Sequence, residues 1–155
     1  MAWVIYNQFK VSQLDGTSPN TPIDFDSDKI HLMLLDSGST IDQTDEDLAD
    51  ALVGGSDSEV SGTNYARKVI SSVTVVSSAG TVTVDGNDPT AFAQSASGFS
   101  DALYAILYKG DNSVPASDTA ASSPLIASYT FASSQNNVSG SLTLQFSAAG
   151  IFTLA

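Results

Sequence analysis

The chain has 155 residues, with 17 acidic side chains against 5 basic ones, a formal net charge of −12 and no cysteine. A surface so poor in Lys and Arg repels phosphate backbones, which argues against direct binding of DNA or RNA. Without cysteine there is neither a disulfide framework nor a thiolate metal site.

The length fits one domain with a real core, organised as an N-terminal strand or arm over residues 1–22 and a single β-sandwich over 23–155. Residues 1–10 lack a basic region followed by a long apolar run, so no signal peptide is expected. No apolar stretch approaches the roughly 18 residues that cross a bilayer, so no membrane partner is expected either. Charged residues make up only 14% of the chain, and β-branched residues with Ser/Gly punctuation take the place of helix formers.

In chain order, Trp3, Val4, Ile5, Tyr6 and Phe9 open the sequence as a strand or a docking arm, followed by turn chemistry from Asp15 to Pro22. As aromatic and apolar groups near a terminus, Trp3, Ile5, Tyr6 and Phe9 are candidate partner contacts; the competing reading makes them an ordinary first strand of the core. Lys29 to Leu35 reads as a buried strand. Residues 36–59 then carry eight carboxylates and no Lys or Arg. Within them, Asp45 to Leu52 is expected to form one short acidic helix, capped by Thr44 with Asp47 in the capping-box place and stopped by Gly54-Gly55.

Beyond Glu59 the texture is β. Strands are expected over Tyr65–Val76, Thr81–Val84, Ala102–Tyr108, Leu125–Phe131, Leu142–Phe146 and Ile151–Leu154. Turns fall at Ser77–Gly80, Asp85–Pro89 and Lys109–Asn112. The fold class expected is all-β: an antiparallel sandwich, jelly-roll or Ig-like, with an extended N-terminal arm and one short acidic helix.

Three places invite a chemical reading. Leu34-Leu35-Asp36-Ser37-Gly38-Ser39 resembles the catalytic loop of aspartic proteases, where two carboxylates share a proton; a single copy requires a homodimer. The acidic helix and Gly-Gly break that follow depart from that family, and a strand-to-loop exit accounts for the same residues. Asp24, Asp26 and Asp28 alternate as in a calcium loop, but Lys29 and Leu35 stand where an EF-hand has Gly and Glu, and a solvated turn is the simpler account. His31 is the only histidine, so no zinc site follows, and a solvent-facing or interface position on its strand is expected. Nucleotide-phosphate motifs are absent, and Asn137-Val138-Ser139 matters as a glycosylation sequon only in a secretory pathway. No catalytic residue, cofactor or metal is expected.

The order of motifs carries a resemblance. Tyr6 and Phe9 are followed by Asp28 to Leu35, Glu59-Val60-Ser61-Gly62-Thr63-Asn64-Tyr65-Ala66-Arg67, Ala102 to Tyr108, Pro124 to Ala127, Leu142 to Phe146 and Gly150 to Leu154. This resembles a family of small structural proteins of tailed bacteriophages, with Asn64 standing where Gly is common. The resemblance implies a non-enzymatic virion component with a β-sandwich fold, made in the host cytoplasm. The acidic balance, poorly suited to face packaged DNA, and an N-terminal segment suited to lattice binding favour the capsid exterior. There it would act as a decoration or cement protein, with the major capsid protein and copies of itself as partners in a homo-oligomer. A tail or neck component is the alternative, and a homodimeric protease around Asp36 the distant one.

Overall fold

A computed structural model describes residues 3–15 and 22–154. Strand predominates over helix, which makes the architecture all-β, as expected. Two antiparallel sheets form a sandwich-like body.

The first sheet has five strands, in the order β1 (Val4–Ile5), β7 (Leu125–Gln135), β6 (Ala102–Gly110), β2 (Lys29–Asp36) and β3 (Lys68–Ile70). Its centre is β2 against β6, paired from Lys29↔Gly110 to Asp36↔Ala102 with a bulge after Leu35. Side chains alternate across a strand. Ile30, Leu32 and Leu34 therefore face one side, and His31, Met33 and Leu35 the other; all six are at most 2% exposed. A strand buried on both faces must be apolar on both, which is why Ile30 to Leu35 reads as a continuous run. Each such side chain contributes about 1.5–3 kcal/mol of burial.

The second sheet has three strands, in the order β4 (Thr74–Ser78), β5 (Thr81–Asp85) and β8 (Phe152–Leu154). Ala79 (φ 51°) and Gly80 (φ 84°) join β4 to β5. Two residues with positive φ are what a type I′ hairpin turn requires, since its twist matches that of the strands. Between the sheets and the N-terminal segment, Phe9, Phe25 and Phe152 form an edge-to-face cluster with centroids 6.0–6.2 Å apart. Tyr65, Phe92 and Phe99 form a second cluster at 5.6–5.8 Å, in which Tyr65 stacks on Phe92 and Phe99 meets both edge-on.

Several expectations need correction. The N-terminal segment does not extend as an arm: β1 is two residues long, and Asn7–Asp15 forms a helix, α1. Its apolar positions Phe9, Val11 and Leu14 do not share one face, and only Phe9 of the three is buried, so the sequence lacks a helical stripe. The turn expected from Asp15 to Pro22 falls mostly outside the described residues.

The acidic helix begins later than Thr44. Asp47 Oδ1 accepts from the N–H groups of Ala49 and Asp50, at 2.8 and 3.1 Å, and so caps a single turn over residues 48–54 whose Asp50–Gly54 part is π-helical. Thr44 instead closes a small turn, its N–H and hydroxyl both donating to Asp42 Oδ1. Tyr65–Val76 is broken between β3 and β4, where Ser72 has a φ of 53°. Leu142 makes only an isolated bridge to Phe92 and not a full strand.

Candidate functional site

The richest polar chemistry lies inside the five-stranded sheet and not on its rim. His31 is fully buried, which overturns the solvent-facing or interface position expected for it. Its Nδ1 sits 2.7 Å from Asp118 Oδ2, and both side chains are 0% exposed. An ionised carboxylate can only accept, so Nδ1 carries the hydrogen and the tautomer is fixed. Tyr108, next to His31 across the β2/β6 register, donates its hydroxyl to the same Asp118 oxygen at 2.8 Å. Asp118 Oδ1 accepts from Asn112 N at 3.0 Å, pinning the 111–118 loop to the sheet. Gly110 makes room for this: a Cβ there would collide with the His31 ring.

The network continues outward. Arg67 Nη1 donates to Tyr108 Oη at 3.4 Å, while its Nε and Nη2 clamp Glu59 at 2.8 and 2.6 Å in a bidentate pair. Tyr65 donates its hydroxyl to Glu59 Oε1 at 2.6 Å and accepts from Leu34 N at 3.1 Å. The hydrogen bonds to Glu59 hold the Arg67 guanidinium more firmly protonated than usual. Burial pushes the Tyr65 and Tyr108 phenols up, and the carboxylate bonded to each adds to it. Six side chains, His31 from β2, Tyr108 from β6 and Glu59, Tyr65, Arg67 and Asp118 from loops, thus form one chain of hydrogen bonds from Asp118 to Glu59. It ends at a groove of about 530 Å³ lined by Glu59, Gly62, Tyr65, Arg67 and Ala116.

Chemically, this arrangement is a brace. The phenols stay neutral, the guanidinium is spent on Glu59, and His31 Nε2 is buried with no hydrogen-bond partner. A Ser–His–Asp site needs a nucleophile hydroxyl at that second nitrogen. Among the described residues no hydroxyl bonds to it.

The remaining candidate sites resolve individually. Asp36 Oδ1 accepts from Gly38 N at 3.0 Å and Ser39 Oγ at 3.3 Å, closing the strand exit, and Ser37 Oγ donates to Asp101 at 2.8 Å. Asp36 Oδ1 is thus occupied by its own loop, and Ser37 is tied to the residue before β6. Asp24, Asp26 and Asp28 close a turn in the same way: Asp24 Oδ1 accepts from Asp26 N, Asp28 Oδ2 from Asp24 N, and Asp28 pairs with Lys109 at 2.9 Å. No group of three or more His, Asp or Glu side chains placed to hold a metal ion occurs among the described residues. Asn137 is fully buried, its amide donating to Thr63 O and Ala93 O, so the sequon asparagine is part of the core.

Trp3, Ile5, Tyr6 and Phe9 pack on the chain itself. Tyr6 and Phe9 are 0% and 3% exposed, Trp3 lies against Tyr129 and Phe146, and Ile5 is partly buried on the core. Over Tyr6 folds the acidic segment: Asp57 is 6% exposed, with Oδ1 accepting from Thr40 N and Oδ2 without a partner. Burial raises the Asp57 carboxyl, and burial with the charges of Asp42 and Asp57 pushes Asp45 up to about 6.

Nothing local in the sequence marks Asp118, which lies 87 positions from His31. Glu59, Tyr65, Arg67 and Tyr108, by contrast, all belong to the segments that carry the resemblance. Asn64 has a φ of 64°, a left-handed conformation that Gly or Asn supplies, so its departure from the family pattern leaves the turn intact.

No family model, no curated protein and no solved structure matches the chain.

Proposed function

We propose that this chain is a non-enzymatic structural protein of a bacteriophage particle, a decoration or cement protein seated on the outside of the major capsid lattice. One observation carries the reading. The segments that resemble phage structural proteins, Glu59 to Arg67 and Ala102 to Tyr108, meet in a single part-buried brace, Glu59–Arg67–Tyr108. Glu59 and Arg67 border a groove, but their polar groups are bonded to each other and to Tyr65 and Tyr108, which suits a scaffold.

The charge supports the outer position. A net charge of −12 repels packaged DNA and is tolerable beyond the shell. Repetition of the lattice makes weak individual contacts sufficient. With Tyr6 and Phe9 spent on the core of the chain, docking falls to side chains already exposed, such as Val4, Val11 and Leu14.

The test is co-sedimentation of the purified protein with DNA-filled heads and, separately, with isolated tails of the phage that encodes it. Saturable binding to heads is expected. Binding to tails alone would move the protein to the tail or neck, and binding to neither would overturn the proposal.

A further inference from the structure

The charges of this acidic chain are unevenly spread. From Val69 to Val84 there is no charged residue at all, and this stretch contains the whole β4–β5 hairpin apart from its last residue, Asp85. All five residues of β4 are exposed, Val75 at 44% and Val76 at 58%. Among the described residues β4 pairs with β5 on one side only, which leaves its other edge open. Natural edge strands are guarded by Lys, Pro, bulges or shortness. The other outer strands, β1, β3 and β8, are two or three residues long. Thr74-Val75-Val76-Ser77-Ser78 has five residues and carries no charge and no proline.

The hairpin also settles which backbone groups are free. In a two-residue turn the closing pair, here Ser78↔Thr81, exchanges both hydrogen bonds. Alternation along the ladder then turns the N–H and C=O of Val76 toward β5, and those of Val75 and Ser77 toward the open edge. A second β4 running antiparallel about a two-fold axis at Val76 places Val75 opposite Ser77 of the other copy, and Ser77 opposite its Val75. Both residues of each pair point their backbone groups at each other, and the two Val76 side chains meet at the axis. The register is thus self-complementary with no group left over.

We propose that the open edge of β4 is a homodimer interface, in which two copies join β4 to β4 and form one continuous six-stranded sheet. Charge selects a second copy as the occupant. Two chains of net charge −12 repel each other over most of their surfaces, and β4 itself brings no charged side chain to the seam, Asp24 and Asp26 lying in the groove beside Val75. A basic partner would gain nothing from a charge-free edge. The two-fold arrangement closes on itself, so an unguarded edge gives a dimer and not a fibre. This inference concerns the free chain in solution and does not depend on the phage reading.

The absence of cysteine makes a clean test possible. Val76→Cys places two thiols at the axis in a non-hydrogen-bonded pair, with Cα atoms about 4.5 Å apart, within the range a disulfide spans. Val114→Cys, at a site 60% exposed on a different loop, is the control. Under mild oxidation Val76→Cys is expected to yield disulfide-linked dimer on the order of tenfold faster than the control, because only one site is pre-aligned. In sedimentation, the natural chain is expected to dimerise with rising concentration, and Ser77→Pro, which deletes an outward N–H, to remain monomeric with unchanged circular dichroism. Equal cross-linking at both positions, or a natural chain monomeric at every concentration, would overturn the proposal.

Discussion

Removing Asp118 is the sharpest perturbation of the brace. Its carboxylate is fully buried and accepts from three donors: His31 Nδ1 at 2.7 Å, Tyr108 Oη at 2.8 Å and Asn112 N at 3.0 Å. Asp118→Ala leaves all three without their acceptor, at about 1–3 kcal/mol for each buried group left unpaired. Tyr108 Oη still accepts from Arg67, while its own hydroxyl hydrogen is left without an acceptor. The expected loss is about 3–5 kcal/mol, the usual cost of breaking a buried pair by one partner. In a chain of this size that lowers the Tm by about 10 °C. Asp118→Asn should lose roughly half as much, because one oxygen still serves Asn112 while the amide faces two donors.

Urea unfolding followed by the fluorescence of Trp3, the only tryptophan, reads these values directly. A double-mutant cycle isolates the pair: His31→Leu with Asp118→Leu should be less destabilising than the sum of the singles, since no unpaired buried charge remains. An Asp118→Ala loss below about 1 kcal/mol, or strict additivity in the cycle, would refute the brace.

Other predictions follow from single positions. In Gly98→Ala the new Cβ overlaps Asn137 Oδ1, and Asn137 is tied to Thr63 and Ala93, so a loss of about 2–4 kcal/mol is expected in the same urea titration. Ala79→Asn should stabilise by about 0.5–1 kcal/mol, because Asn accepts the left-handed φ of 51° and completes an Asn-Gly type I′ turn. Asp45 titrates at about 6 in the fold, above its unfolded value. The folded state therefore binds the extra proton. The contribution is full below the unfolded pKa, about 3.9, and is lost as pH rises through about 6. Melting temperatures across that window should fall with rising pH, and Asp45→Asn should flatten the fall; an unchanged slope would remove Asp45 as its source.

What could be read in the sequence follows from how local each cause is. Strands β2 and β6 announce themselves because burial on both faces forces an unbroken apolar run, and the β4–β5 hairpin because Ala79-Gly80 supplies its turn. Helix α1 was illegible: Phe9 alone of its large apolar residues points inward, so packing against Phe25 and Phe152, and not periodicity, holds it. The acidic turn starts a few residues after Thr44 because Thr44 and Asp47 are both good caps, and backbone contacts of residues 46–48 with 123–125, the Asp47–Pro124 bridge among them, favour the second. At the site, Glu59, Tyr65 and Arg67 lie close together in sequence and could be picked out as a motif. Their partner Asp118 could not, since a strand-to-loop contact over 87 positions leaves no local pattern.

Electron microscopy of the encoding phage tests the proposed role as a building block of the phage shell. Density matching the two-sheet body is expected at regular sites on the outer capsid surface, lost in particles made without the gene and restored by adding the protein. An unchanged capsid surface in such particles, with the protein absent from purified virions, would contradict that role.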